Sequence, residues 1–339
     1  MMNLLFFTTC TAAFLFTLQA VSIAQSSNAE ETTKTSFQVQ RGGTLRFDAD
    51  VGDVKIATRE SNTVDITLKR RLKTADTQEI ERLLRNLSIG RVQNGDEIRV
   101  TVRVEDDKAG RIRNKIDLDF EIAMPREFNV ALRTGGSASI GDIRGKVEAA
   151  TSGGSLEMGD VSGAVTASSS GGSLQVGDVG APLNAQSSGG SLKAGRVAGP
   201  VVAHASGGSV LIAEARDSVD ASATGGSVAA YISNQPKSSC RLTASGGNVD
   251  LRLVAAAAVT FDASSSPGGV MIDYDIAPRQ AAGGGTSKGA INGGGPSVTL
   301  RASGGSIRLR KGPKSNSAAA DQTKKAKRIA KADFNARNL

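Results

Sequence analysis

Along most of the chain, apolar and polar residues alternate in short runs that are cut at regular intervals by a pair of glycines. Gly-Gly pairs begin at 135, 153, 171, 189, 207 and 225, so five successive intervals are each 18 residues long. The next pairs begin at 246, 268 and 304, at spacings of 21, 22 and 36. This reads as two lengthened modules followed by an interval of two periods that carries a Gly-rich insert, Ala281 to Gly295. Self-similarity at a fixed period is the mark of a repeat architecture.

Each period runs Gly-Gly-Ser, an alternating aliphatic pair, Gly-Asp-Val, a short turn, a second alternating pair and a Ser or Thr cluster. Apolar side chains therefore recur in columns. One holds Leu156, Leu174, Leu192, Val210 and Val228; another holds Val147, Val165, Leu183, Val201 and Val219. Ile143, Val161, Val179 and Val197 make a third, and Ala149, Ala167, Ala185, Ala203 and Ala221 a narrow one. A period of two within each run means strand, because alternate side chains then share a face. Helix is excluded here, since a Gly pair or Ser cluster interrupts every run before two turns form.

One module cannot fold by itself. Its five aliphatic side chains bury too little surface to offset the ordering of 18 residues at ~1.5 kcal/mol each. Stacking supplies backbone hydrogen bonds between successive modules and seals each aliphatic layer against the next. The predicted fold is thus an all-β, single-stranded β-solenoid with 18-residue coils, about nine of which make a rod of roughly 45 Å. The alanine column marks a narrow side of the coil, where a larger residue would overfill the interior.

Ahead of the regular repeats, residues 37–134 show alternating strands from Phe37 to Leu68, then Glu97 to Val104 and Ile116 to Ala123, closed by Pro125. Between them Ile80, Leu83, Leu84 and Leu87 fall at i, i+3, i+4 and i+7, with Asp76 and Glu79 as a capping box. This amphipathic helix, residues 76–88, is expected to cap the open end of the rod, which otherwise exposes unpaired backbone.

Several of these segments resemble a known group. Gly42-Gly43-Thr44-Leu45, Gly52-Asp53-Val54-Lys55-Ile56, the amphipathic helix, Ala123-Met124-Pro125 and the Gly-Asp-Ile/Val repeats at 141, 159 and 177 look like the bacterial putative-adhesin family. The resemblance covers Phe37 to Leu309, and its order of elements is more specific than any one motif. It implies an exported or envelope-associated solenoid. The adhesin role comes with the family name and not from the composition.

Composition and charge place the chain. Forty glycines, eight prolines, no Trp and 39% hydrophobic residues fit a turn-rich folded protein and exclude collagen and wholesale disorder. Residues 1–24 read as a signal peptide: the uncharged run Leu4 to Ala24 ends in Ser22 and Ala24 at signal-peptidase spacing, so the mature chain would start at Gln25 after a linker, 25–36. The same run is about long enough to serve as a retained membrane anchor. Cleavage would remove Cys10 and leave Cys240 without a disulfide partner. The expected location is exported: periplasmic, cell-surface or secreted.

Residues 311–339 form a basic tail with eight Lys or Arg against Asp321 and Asp333, so most of the +8 charge sits in an appendage. A nearly neutral rod argues against nucleic acid as a partner. Lys324, Lys325, Lys327, Arg328 and Lys331 are the candidates for binding an anionic surface, either envelope polysaccharide or anionic lipid head groups.

Asp142, Asp160 and Asp178 occupy one column and, stacked, would bring each carboxylate within about 5 Å of its neighbour, an arrangement that Ca²⁺ can hold. Gly before Asp is also ordinary turn chemistry, and Arg196 and Glu214 take the next two places in the column, which favours a solvated turn. Ser137, Ser155, Ser173, Ser191, Ser209 and Ser227 form a hydroxyl ladder that fits tight corners as readily as it would template water or sugar. No His/Cys cluster has zinc spacing, no cofactor motif is present, and His204 and Cys240 are unconnected in the pattern. Asp273 and Asp275, beside Tyr274, are the best residual acid cluster.

These features point to a non-catalytic envelope or adhesin-like scaffold, with no cofactor, whose partners meet its stacked faces or its tail. Another envelope protein is a further partner. The alternatives are a glycan-active β-helix enzyme and an envelope-stress sensing module.

Overall fold

A computed structural model describes residues 30–73, 77–105, 115–274 and 285–313. Two sheets of 13 strands each enclose one continuous apolar core. Each regular coil gives a longer strand to one sheet, such as Val147–Thr151, and a shorter strand to the other, such as Leu156–Met158. Successive coils pair in parallel with a register of 18, Leu156 with Leu174 and Val147 with Val165. The third side is a corner where single bridges link Ile143 to Val161, Val161 to Val179 and Val179 to Val197.

Alternation along each strand decides what is buried. Leu156 and Met158 point inward with Glu157 outward, and the alanine column from Ala149 to Ala221 lies within the core on the longer strands. The last residue of that strand is a buried hydroxyl in four successive coils, Thr134, Thr151, Ser169 and Ser187. Ser169 Oγ lies 2.9 and 3.0 Å from the carbonyls of Gly154 and Gly172, and its single proton, shared between them, ties the Gly-Gly turns of two coils together. The turns also need glycine for space. A Cβ on Gly172 would stand 2.7 Å from the Ser155 nitrogen of the coil before it, inside any real contact distance.

The expected fold class is corrected by how the coils are built and closed. The rod is not a single-stranded coil under a helical cap: each coil feeds two sheets, and antiparallel strands cover both sheets at one end and the longer-strand sheet at the other. Glu30–Gln38 lies antiparallel on Thr63–Leu72, which is itself antiparallel to Ile116–Pro125. Leu87–Asn94 closes the other sheet against Glu97–Val104, and Thr286–Ile291 covers Val259–Ser265 at the far end. The reason is hydrogen bonding: a strand satisfies the last coil's N–H and C=O groups along its length, whereas a helix has its own backbone groups already paired. The helix Thr77–Arg85 links two of the covering strands, with Leu84 half-buried against the core, and pairs with neither sheet edge.

The coils are also out of sequence order at both ends. The coil of Glu97–Val104 and Ile116–Pro125 lies outside that of Thr44–Ala49 and Asp53–Arg59, and the chain then returns to stack Asn129–Thr134 and Ala138–Ile140 on the latter. At the other end Ser297–Ala302 and Ile307–Lys311 slot between the coil of Cys240–Ala244 and Val249–Leu253 and the coil of Val259–Ser265 and Val270–Ile272. The 36-residue interval is therefore a detour through an outer coil and its covering strand, where the sequence suggests two consecutive periods. Residues 30–36, read as linker, belong to the strand Glu30–Gln38. The leader, Asp275, residues 281–284 of the Gly-rich insert and the tail from 314 lie outside the described residues.

Candidate ligand groove

The corner opposite the Gly-Gly turns carries the polar side chains of greatest interest. After three successive short strands the chain turns through Gly-Asp-Ile or Gly-Asp-Val; Val161 and Val179 face the core at 1% and 2% exposure, which forces the preceding aspartates outward. Each aspartate then reaches the next coil. Asp142 Oδ1 accepts the Asp160 N–H at 3.1 Å, Asp160 Oδ1 accepts that of Asp178 at 2.8 Å, and Asp178 Oδ1 accepts that of Arg196 at 2.8 Å. Arg196 also donates Nε–H to Asp178 Oδ2 at 2.8 Å. Burial alone would raise the Asp178 pKa, but the Arg196 hydrogen bonds and charge outweigh it and hold the carboxyl below the usual carboxylate range.

Next to this ladder runs a second outward column, Arg144, Ser162, Gly180, Ala198 and Arg216, whose backbone N–H groups bond to the coil before. Three small residues between two arginines leave a trough of about 500 Å³ along the rod. Its ends are loosely paired: Arg144 stands 3.5 Å from Glu127, Arg216 3.5 Å from Glu214 and Arg126 3.9 Å from Asp142. The Arg126 Nε is buried with no hydrogen-bond partner among the described residues.

The other sequence candidates fall elsewhere. Among the described residues no group of three or more His, Cys, Asp or Glu side chains is arranged to hold a metal ion. The serine ladder faces its own backbone: Ser155 Oγ accepts the Ser173 N–H at 3.2 Å and Ser209 Oγ that of Ser227 at 3.1 Å. Tyr274 is buried, donates to the Leu253 carbonyl at 2.8 Å and has its pKa pushed up to about 12 by burial, so it offers no platform to a sugar beside Asp273. His204 Nδ1 lies 2.7 Å from Ser222 Oγ on the face of the longer-strand sheet, and Cys240 is buried, with burial pushing its thiol up. Lys324, Lys325, Lys327, Arg328 and Lys331 lie outside the described residues.

Sequence reasoning passed over Arg126, Arg144 and Arg216. The usable signal was the period itself, because Arg144 and Arg216 are four periods apart with only small residues at the intervening places.

No curated protein matches the chain. Among solved structures it is similar to a putative cell adhesion protein from Clostridium sporogenes, at 12% identity over 83% of this chain and 100% of that one, with a TM-score of 0.23. It is also similar to a putative adhesin from Bacteroides fragilis, at 14% identity, 83% and 97% coverage and a TM-score of 0.33. A putative lipid binding protein from Parabacteroides distasonis stands at 11% identity, 83% and 97% coverage and a TM-score of 0.33. Scores this low carry no argument about what the chain binds. The family match is of another order, extending over residues 43–310, much as the resemblance in the sequence does: the chain belongs to the family described as Toastrack DUF4097.

Proposed function

We propose that the protein is a non-catalytic, adhesin-like binding scaffold of the cell envelope. Leu4–Ala24 exports it, and its stacked faces or basic tail engage envelope polysaccharide, anionic lipid head groups or another envelope protein. One observation supports the reading most: the regular polar ladders of the corners are directed at the protein's own next coil. Asp160 and Ser155 each accept a backbone N–H one period later. A catalytic acid or base needs its lone pairs or proton facing a substrate, and an oxygen of each of these side chains is already committed to main chain. What the rod presents outward instead is long, regular surface suited to repeated weak contacts.

Fractionation with N-terminal sequencing, combined with pull-down on cell-wall and lipopolysaccharide material, tests this. The expected result is a mature chain starting at Gln25 in the envelope fraction, retained less well when 311–339 is removed, with no release of sugar. Polysaccharide turnover that Asp273→Ala reduces would reassign the protein to the glycan-active enzymes. Ligand-dependent association with a membrane signalling protein would make it an envelope-stress sensor.

A further inference from the structure

The geometry points to the trough between Arg144 and Arg216 as a binding site for an acidic oligosaccharide, one bearing carboxylate or phosphate groups, laid along the rod axis. This inference rests on the binding-scaffold reading and deepens it. The trough is open at the surface, about 500 Å³ in volume, and crosses five coils, whose four inter-strand spacings make roughly 19 Å. That shape suits a linear polymer a few sugar units long.

Charge decides the chemistry at the ends. Arg196 is held by Asp178 at 2.8 Å, while Arg126, Arg144 and Arg216 stand 3.5 to 3.9 Å from their carboxylates. Guanidinium groups bind carboxylate and phosphate through paired N–H donors at shorter distances than these. An anionic group at either end of the trough would give those guanidinium donors better partners than they have.

The wall decides between classes of polymer. Asp160 uses one oxygen for the Asp178 N–H and is in no ion pair among the described residues, so its second oxygen can accept a hydroxyl donor. Sugar hydroxyls supply such donors along the whole wall, whereas an acyl chain supplies none. Ser162, Gly180 and Ala198 give an acyl chain little apolar surface to cover.

Isothermal titration of the full-length mature chain with a short oligogalacturonate tests the site, with a neutral maltooligosaccharide of equal length as control. Arg144→Ala with Arg216→Ala is expected to weaken binding about tenfold or more, Asp160→Asn to weaken it less, and removal of 314–339 to leave it within about twofold. Arg144→Lys with Arg216→Lys, which keeps charge but loses the paired donors, covers the case in which the alanine pair does not fold; it too should bind more weakly. Unchanged affinity in the folded double variants overturns the inference, as does equal binding of the neutral sugar or preference for vesicles of anionic phospholipid or for inorganic phosphate. If the wild type sediments with envelopes yet Arg144 and Arg216 prove irrelevant, the groove fails and the scaffold reading stands. If it binds oligogalacturonate through them but is not retained on envelopes, the reverse holds.

Discussion

Asp178 holds Arg196 at three points, the backbone N–H at Oδ1 and the Nε–H at Oδ2, both at 2.8 Å, and the Nη2 group also at Oδ2, so one carboxylate fixes the main chain and the side chain of the residue one period later. The relation converts a repeat in sequence into a vertical tie between coils. It also ends the aspartate column, since Arg196 in the next place meets its charge.

Replacing Asp178 separates these two roles. Asp178→Asn keeps an oxygen for the N–H and loses the ion pair, whereas Asp178→Ala loses both. The alanine variant is expected to lose about 1 kcal/mol in urea denaturation, discounted for the solvent exposure of the pair, and the asparagine variant less. The folded pKa of Asp178 is lowered. Its contribution is therefore present above the unfolded carboxylate value near ~3.9 and disappears as pH falls through the folded value. Wild type and Asp178→Asn should converge in stability on acidification below about pH 4 and separate above it. A constant gap across that range would remove the ion pair from the account.

The buried hydroxyl column makes a second prediction with an internal control. Ser187 Oγ donates to the Gly172 and Gly190 carbonyls at 3.0 and 2.9 Å, and at the next place in the register stands Ala205, 3% exposed. Ser187→Ala removes a hydroxyl donor from these half-buried turn carbonyls, of which that of Gly172 keeps Ser169, and should cost about 0.5–1.5 kcal/mol. Ala205→Ser adds a hydroxyl in the same register, within reach of the corresponding turn, and should be neutral or stabilising by up to about 1 kcal/mol. Denaturation midpoints measured at constant m-value decide both. Destabilisation by Ala205→Ser would mean that the alanine coils are packed too closely for an oxygen.

In the regular Gly-Gly turns from 153 to 226 glycine is needed by close approach and not by a left-handed backbone. At Gly172 a Cβ would lie 2.7 Å from the Ser155 nitrogen, while at Gly269 nothing lies within 4 Å. Gly172→Ala should cost about 1–3 kcal/mol or more as the coils are pushed apart, and Gly269→Ala well under that. A thermal melt of the two variants side by side measures the contrast. Equal melting temperatures would show that the stack yields without strain.

How much of this was legible depends on which signal each part leaves. Val161 and Val179 were placed in the core by alternation and by the Gly-Gly period, because their column is apolar in every successive coil from Ile143 to Ala215. Glu30–Gln38 left no such signal: its residues are mostly polar, and it is held through backbone pairing with Thr63–Leu72 and an ion pair from Arg70 to Glu31. Ser169 was visible only as one of a Ser cluster, since nothing local distinguishes a buried hydroxyl from a turn residue. The trough is a stack of missing side chains at Gly180 and Ala198, which appears only when the outward columns are read as a surface.

Coil order was illegible for a stronger reason, and it yields the last prediction. Phe261 and Cys240 both lie opposite Val298 and are 21 residues apart, the same separation as Asp220 and Arg241, which pair directly in neighbouring coils. Val270 likewise follows Val249 by 21, and both face Ile307. The outer coil is thus spaced to stack directly on the coil of Cys240, and the segment 296–311 enters between two surfaces that match each other. A chain ending at Gly295 should therefore stay folded, with Val259–Ser265 paired in the same register on Cys240–Ala244. Hydrogen exchange on that truncated chain should show the amides of Val259–Ser265 still protected, with a rod shorter by about one inter-strand spacing of ~4.8 Å in solution scattering. Free exchange of those amides would mean instead that the inserted coil is what orders its outer neighbour, and that matching register alone does not suffice to bring two coils together.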